Sequence, residues 1–181
     1  LLFAGANTWA AGNFVSLSGD VRVESNGGIA LATATQQVDA GTTVHTGVNG
    51  NAVLRLDDGQ QIALSPNTSF KIDQFRFDNA RPDLNNVTMS LFRGALRMLT
   101  GLIGQRDHSK FTLKTATSTI GIRGTDFMVA LVTQSSANPA YMQVIQGGIS
   151  ATNAVGTVSF AAGTTGTVAS LTTLASSIAA S

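Results

Sequence analysis

Ala52-Val53-Leu54-Arg55-Leu56-Asp57-Asp58-Gly59-Gln60-Gln61-Ile62-Ala63-Leu64-Ser65-Pro66-Asn67 is two short alternating runs on either side of an Asp-Gly pair. Alternation with period two puts apolar side chains on one face of a strand, and Asp-Gly is turn chemistry because glycine accepts positive φ at no steric cost. The stretch therefore predicts a β-hairpin closed at Asp58-Gly59 and ended by Ser65-Pro66-Asn67. Val21 to Glu24, Asn26-Gly27-Gly28 and Ile29 to Ala32 read as a second hairpin. Phe70, Ile72, Phe75 and Phe77 form a strand whose broken period signals a bulge. A polar loop over 79–86 follows, held by Arg81-Pro82-Asp83.

The same alphabet continues to the other end. Val87 to Phe92 is expected to turn at Arg93-Gly94 into Ala95 to Leu99, and a Gly-rich polar loop runs from Thr100 to Lys110. Phe111 to Thr115 and Ser118 to Ile120 precede a turn at Gly121. Phe127 to Val132, Tyr141 to Ile145, Ile149 to Thr152, Val155 to Ala161 and Thr165 to Ala169 complete the strands. Helical periodicity is nearly absent, so the reading is all-β: a compact multi-stranded sandwich or short solenoid-like barrel of hairpins. The expected core comprises Val53, Leu54, Leu56, Ile62, Leu64, Phe70, Ile72, Leu91, Leu96, Phe111, Ile120, Phe127, Val129 and Val144, some of which alternation must turn outward.

Composition narrows the function. Charged residues make up 12% of the 181 positions, about half the share of an ordinary globular protein. Abundant Gly, Thr, Ser and Ala point to a secreted β-protein. The net charge is +1 with its basic residues scattered, so no electrostatic footprint for nucleic acid exists. Cysteine is absent, which removes disulfides, thiolate metal sites and a Cys nucleophile. His45 and His108 lack metal-ligand spacing, no Ser or Thr lies in a nucleophile elbow, and no Gly-rich run ends in Lys-Ser/Thr. Asp57-Asp58 and Asp107-His108 read as exposed turn and loop residues. No cofactor, metal or catalytic residue is expected, and no enzyme activity. No window is long and apolar enough to span a membrane.

The ends are apolar extensions. Leu1 to Ala11 reads as the apolar end of a secretory leader with a cleavage site after Ala10, or as a donated strand. The chain divides into an N-terminal segment (1–13), a β-domain (14–169) and an uncharged C-terminal segment (170–181) that suits a strand, a short helix or a tail.

In order, the motifs are Val44-His45-Thr46-Gly47, Asn51 to Gly59, Ile62 to Thr68 with its Pro66-Asn67-Thr68, Leu91-Phe92-Arg93-Gly94-Ala95-Leu96-Arg97, Thr115 to Phe127 and Val144 to Ile149, with a late Gly163. Together they resemble the FecR domain over about residues 14 to 165. The most recognisable stretch, Thr115 to Phe127 with its Gly121-Ile122-Arg123-Gly124-Thr125, is similar to the family pattern, although Ala116 stands where that pattern usually has Pro. The resemblance implies the periplasmic β-domain of a cell-surface regulator that elsewhere carries an anti-sigma segment, a membrane helix and a domain contacting a TonB-dependent transporter. This chain is read as the β-domain alone.

Asp58, Gly59, Gly94, Gly121 and Gly124 are expected to form turns. Arg123, flanked by two glycines, is expected either to brace a bend from a buried position, with Asp126 or Asp57 as its carboxylate partner, or to bind a partner protein. The favoured function is an exported, non-enzymatic subunit that self-assembles into an extracellular filament, donating the segment that holds Leu1, Leu2, Phe3 and Trp9 to a neighbouring copy. The alternative is a periplasmic sensory or scaffold module of a cell-surface signalling or envelope system that binds a partner protein. Its location is the cell exterior, cell surface or periplasm of a Gram-negative bacterium. Partners are copies of itself or an outer-membrane or envelope protein.

Overall fold

The computed structural model describes residues 10–25, 27–132 and 138–179. Fifteen strands follow in chain order: β1 (Ala10–Ser18), β2 (Val21–Ser25), β3 (Gly28–Leu31), β4 (Gln37–Asp39), β5 (Thr43–Thr46), β6 (Asn51–Leu56), β7 (Gln61–Leu64), β8 (Ser69–Arg76), β9 (Asn86–Leu99), β10 (Phe111–Lys114), β11 (Thr119–Leu131), β12 (Ala140–Asn153), β13 (Gly156–Ala161), β14 (Thr165–Val168) and β15 (Ser176–Ile178). A five-residue helix, α1 (Leu102–Arg106), is the α-helix among the described residues. Both expected hairpins form, β6 pairing with β7 and β2 with β3. The β8 bulge falls between Ile72 and Gln74.

All strands belong to one sheet, but it is folded over. The first half of β9 pairs with β8 on one flank and runs parallel to β10 on the other. Its second half pairs with β7 and β11. β11 likewise meets β10 with its first residues and β9 with its last, and β12 takes β14 on one half and β13 on the other. Two rows result. One reads β4-β1-β6-β7-β9-β11-β12-β14-β15, and the other reads β3-β2-β5-β8-β9-β10-β11-β12-β13. The long strands β9, β11 and β12 run through both.

The rows close on one apolar core. Phe111 from the second row meets Phe127 from the first edge to face, with ring centroids 6.4 Å apart, and Gln60 from one row donates to Met89 Sδ in the other at 3.3 Å. Phe14, Phe70 and Phe127 are fully buried, each contributing about 1.5–3 kcal/mol. Of the expected core residues only Val53 departs, half-exposed on the outer face of β6, because its neighbours Ala52 and Leu54 take the inward positions.

Two expected turns are not turns. Arg93-Gly94 and Gly121 to Gly124 lie inside the continuous strands β9 and β11, and a third kink interrupts β12 at Gly147. The chain does not reverse at these points because the neighbouring strands bend with it, so pairing resumes on the far side. Gly94 has φ 83°, and a Cβ there would come within 2.6 Å of Thr68 Cα. Gly147 has φ 76°, with Arg123 O only 2.6 Å from where its Cβ would be. At such positions any side chain costs both strain and space.

Hydroxyls carry the hydrogen bonding around the fold. Thr46 Oγ1 donates to Ser65 O (2.7 Å) and accepts from Thr68 N (2.8 Å). Thr68 Oγ1 exchanges bonds with both backbone groups of Ala95, each at 3.1 Å. At the next crossing Thr125 Oγ1 donates to Gly148 O (2.6 Å) and accepts from Arg123 N (3.0 Å). Thr100 Oγ1 donates to Thr125 O (2.7 Å) and accepts from Thr125 N (3.2 Å). All four threonines are buried, so each hydroxyl satisfies backbone groups that would otherwise lose both ladder and water.

At the chain ends, Ala10 to Asn13 already belong to β1, and β15 adds to β14 as a strand. Leu1, Leu2, Phe3 and Trp9 lie outside the described residues.

Thr68→Val keeps the shape and removes the hydroxyl. It is expected to lower stability by about 1–3 kcal/mol in urea unfolding, with Thr68→Ser recovering most of the loss. An unchanged Val midpoint would show that the hydroxyl staples are dispensable.

Candidate functional site

The outer face of the first row is built by register. Arg97, Met128, Gln143, Thr165 and Ile178 stand in one line across β9, β11, β12, β14 and β15. Ala95, Ala130, Tyr141, Thr167 and Ser176 form the next line. Leu99 lies opposite Asp126, and Ile145 projects outward at the β11–β12 irregularity. Leu99, Met128, Tyr141, Ile145 and Ile178 are each about two-fifths exposed or more. Single exposed apolar residues are ordinary; here several adjoin on neighbouring strands and form a patch. One fork of charge borders it. Arg97 donates from Nε to Asp126 Oδ1 (3.0 Å) and from Nη2 to Oδ2 (2.7 Å), and this contact holds the guanidinium still more firmly protonated.

The charge distribution makes the face distinctive: no Asp, Glu, Lys or Arg occurs in residues 127–181. All formal charge lies between Asp20 and Asp126. Sequence reasoning noticed the uncharged 170–181 tail and missed that it belongs to a much longer uncharged stretch, although the residues were in plain view.

Arg123 sits apart from the carboxylates proposed for it. Asp126 is engaged by Arg97, and Asp57 lies at the β6–β7 turn on the rim of a different concavity. Arg123 is exposed rather than buried and edges a shallow hollow of about 340 Å³ with Gly147, Gly148, Ile149, Ser159 and Phe160. It braces nothing: the bend is held instead by Thr125. A second hollow, of about 720 Å³, opens between Ala10, Asp57, Phe75, Phe77 and the Asp78 to Arg81 turn. Asp78 there accepts from Ala80 N and Arg81 Nε, each at 2.9 Å, and those bonds hold its carboxyl below the usual range.

Asp58 is not an exposed turn residue. Its side chain is almost wholly buried, accepting from Gln60 N at 3.0 Å and from Ile103 N at 3.3 Å, while its carbonyl takes Leu102 N at 2.9 Å. It thus ties the β6–β7 turn to the start of α1. Burial pushes its carboxyl up, against the opposing pull of these bonds. Gly59 forms the turn proper, with φ 84°. Asp107 instead accepts from Ser109 N (3.0 Å) and Oγ (2.6 Å), which lowers its carboxyl.

His45 joins three strands. Its Nε2 is 2.9 Å from Glu24 Oε2 on β2, and its Nδ1 is 3.2 Å from Ser69 Oγ on β8. The three side chains lie on the open strand face of the second row, with serine and carboxylate on the opposite ring nitrogens from a hydrolase triad. They act as a polar strap between strands. Among the described residues no cluster of three or more His, Cys, Asp or Glu side chains is placed to hold a metal ion, and no helix is long and apolar enough to cross a membrane.

Comparison with known proteins points one way. The family profile described as FecR protein matches residues 42–150. No curated protein matches. Two crystal structures of a protein assigned as a candidate anti-sigma factor from Parabacteroides distasonis ATCC 8503 share the fold. One, at 2.50 Å resolution, has TM-score 0.59 and 14% identity; the other, at 1.65 Å, has TM-score 0.58 and 15% identity. Each alignment covers 75% of this chain and 58% of the other, so the chain spans little more than half the length of these structures.

Two outcomes follow for Asp58. Asp58→Ala leaves Gln60 N and Ile103 N without their acceptor and is expected to cost about 2 kcal/mol or more at neutral pH. Because the folded carboxyl binds its proton more tightly than the unfolded one, wild-type stability relative to Asp58→Asn falls as pH rises from 3.8 through the raised folded value. Urea midpoints of both proteins across that range check the sign, and a difference constant with pH would refute it.

Proposed function

This chain belongs to the FecR protein family, and on that premise we propose that it is an exported, non-enzymatic module of a cell-surface signalling or envelope system that holds a partner protein on the outer face of β9, β11 and β12. The observation that carries this reading is the run of exposed Leu99, Met128, Tyr141 and Ile145 on a sheet surface where the charges beside them, Arg97 and Asp126, are paired with each other. Such a face buries apolar area against a partner, and its Arg97–Asp126 pair, already satisfied within the chain, supplies orientation. Tyr141 is the kind of rigid, amphipathic side chain that anchors an interface. Arg123, exposed beside its shallow hollow, is a second contact of the same module and lies further along β11. A flat apolar sheet face suits a protein partner better than a small molecule, which takes a concave pocket, and the proposed partner is an envelope protein. The site of action is the periplasm or cell surface.

A second reading, an extracellular filament of identical subunits, draws support from the strand edges left open among the described residues at both ends of each row: β4 and β3 at one end, β15 and β13 at the other. Its proposed donor residues Leu1, Leu2, Phe3 and Trp9 are not needed for edge pairing as such.

Photo-crosslinking in cells from a reactive residue at position 141 distinguishes the two. A heterologous envelope adduct, weakened about tenfold by Met128→Glu with the fold intact by circular dichroism, is expected, a change of about 1.4 kcal/mol. Adducts only between copies of this chain would favour the filament, and no adduct would reject the face.

A further inference from the structure

β3 has its residues the wrong way round for a strand that serves only its own sandwich. Its register with β2 sets Leu31 opposite Arg22, Ala30 opposite Val23 and Ile29 opposite Glu24. Directly opposed residues share a face. Ala30 therefore lies on the inner face with buried Val23, while Ile29 and Leu31 stand on the solvent face, 60% and 67% exposed. Small residues point inward and large aliphatic ones outward.

The backbone polarity agrees. Ala32 N donates to Val21 O, and in an antiparallel ladder the bonding residues alternate. Gly28, Ala30 and Ala32 thus direct their peptide groups at β2. Ile29 and Leu31 direct theirs at the outer edge, where no other strand pairs among the described residues. Natural edges are usually guarded by Lys, Pro or an inward-pointing charge. None occurs from residue 27 to residue 38.

We propose that β3 is a self-pairing edge through which two copies of this chain associate as a symmetric antiparallel pair, centred on Ala30 against Ala30 of the second copy. In that register Ile29 of each copy faces Leu31 of the other, and these two positions carry the free peptide groups, so four backbone hydrogen bonds form. The four large side chains gather into one apolar cluster on a common face. Each row across the interface then runs from Glu24 through Ile29 and Leu31 to Arg22 of the other copy, so unlike charges end every row and like charges never face. Arg22 and Glu24 are already bonded to Asp20 (3.0 Å) and His45 (2.9 Å) within their own copy, so no unpaired charge is buried. A twofold interface of this kind uses the same patch twice and closes on itself, which separates it from a head-to-tail filament.

The test uses the native absence of cysteine. Residues opposed at a non-hydrogen-bonded position of an antiparallel pair approach to about 4.5 Å between Cα atoms, within disulfide reach. Mild oxidation of Ala30→Cys should therefore give a disulfide-linked dimer, whereas Ser159→Cys on the opposite edge strand, β13, stays monomeric. The double variant Ile29→Lys/Leu31→Lys should halve the sedimentation mass at concentrations where the wild type is dimeric, with a urea midpoint close to that of the wild type once both are diluted to monomers, because both residues are exposed in the single chain. A wild type that stays monomeric throughout the concentration range would overturn the proposal. So would a dimer that survives both lysines, or crosslinking as efficient from Ser159→Cys as from Ala30→Cys.

Discussion

A sheet that folds over itself without ending its strands needs something to satisfy the backbone where the strands cross, and in this protein buried threonine hydroxyls do it. A hydroxyl donates and accepts from one atom, so it bridges backbone groups that the crossing has moved out of register. Thr46 and Thr68 serve the crossing of β5–β6, β7–β8 and β9, and Thr100 and Thr125 serve that of β11 and β12. Around them sit glycines in conformations or spaces closed to other residues. The Thr-Gly, Pro-Asn-Thr and Arg-Gly-Thr motifs that mark the family are, on this view, corner chemistry. They hold the fold and leave the outer faces free to differ.

That separation explains how the strongest motif can serve the corner first and the surface second. Thr125, not Arg123, does the structural work in Gly121 to Phe127, and Arg123 is carried outward as a by-product of the kink. Asp126 faces the neighbouring strand and meets Arg97 because β9 and β11 pair in that register. The face proposed to hold a partner has no motif at all. It draws on the absence of charge from residues 127–181, so that the charge beside its apolar side chains is the mutually paired Arg97 and Asp126 and little desolvation cost arises when it is covered.

The hairpins at Asp58-Gly59 and at 21–32, the bulge in β8 and nearly all of the core were legible, because alternation and turn residues act within a few positions of each other. The kinks at Gly94 and Gly124 were misread as turns. Locally, a glycine at positive φ inside a strand and one in a two-residue hairpin look the same, and only the far-side partner strand distinguishes them. Asp58 was misjudged for a similar reason: α1, which buries it, lies more than forty residues away in sequence. His45 gained its meaning only when β2, β5 and β8 came into register.

Sequence alone therefore determined the class, the alternation that sorts inner from outer faces, the family and the uncharged C-terminal third, since each depends on residue type and short-range period. Tertiary structure decided which glycines reverse the chain and which merely bend it, where Arg123 and Asp58 end up, and which outer faces and edges stay uncovered. Those depend on pairing between strands distant in sequence, and a period of two says which face a residue takes without saying what lies across from it.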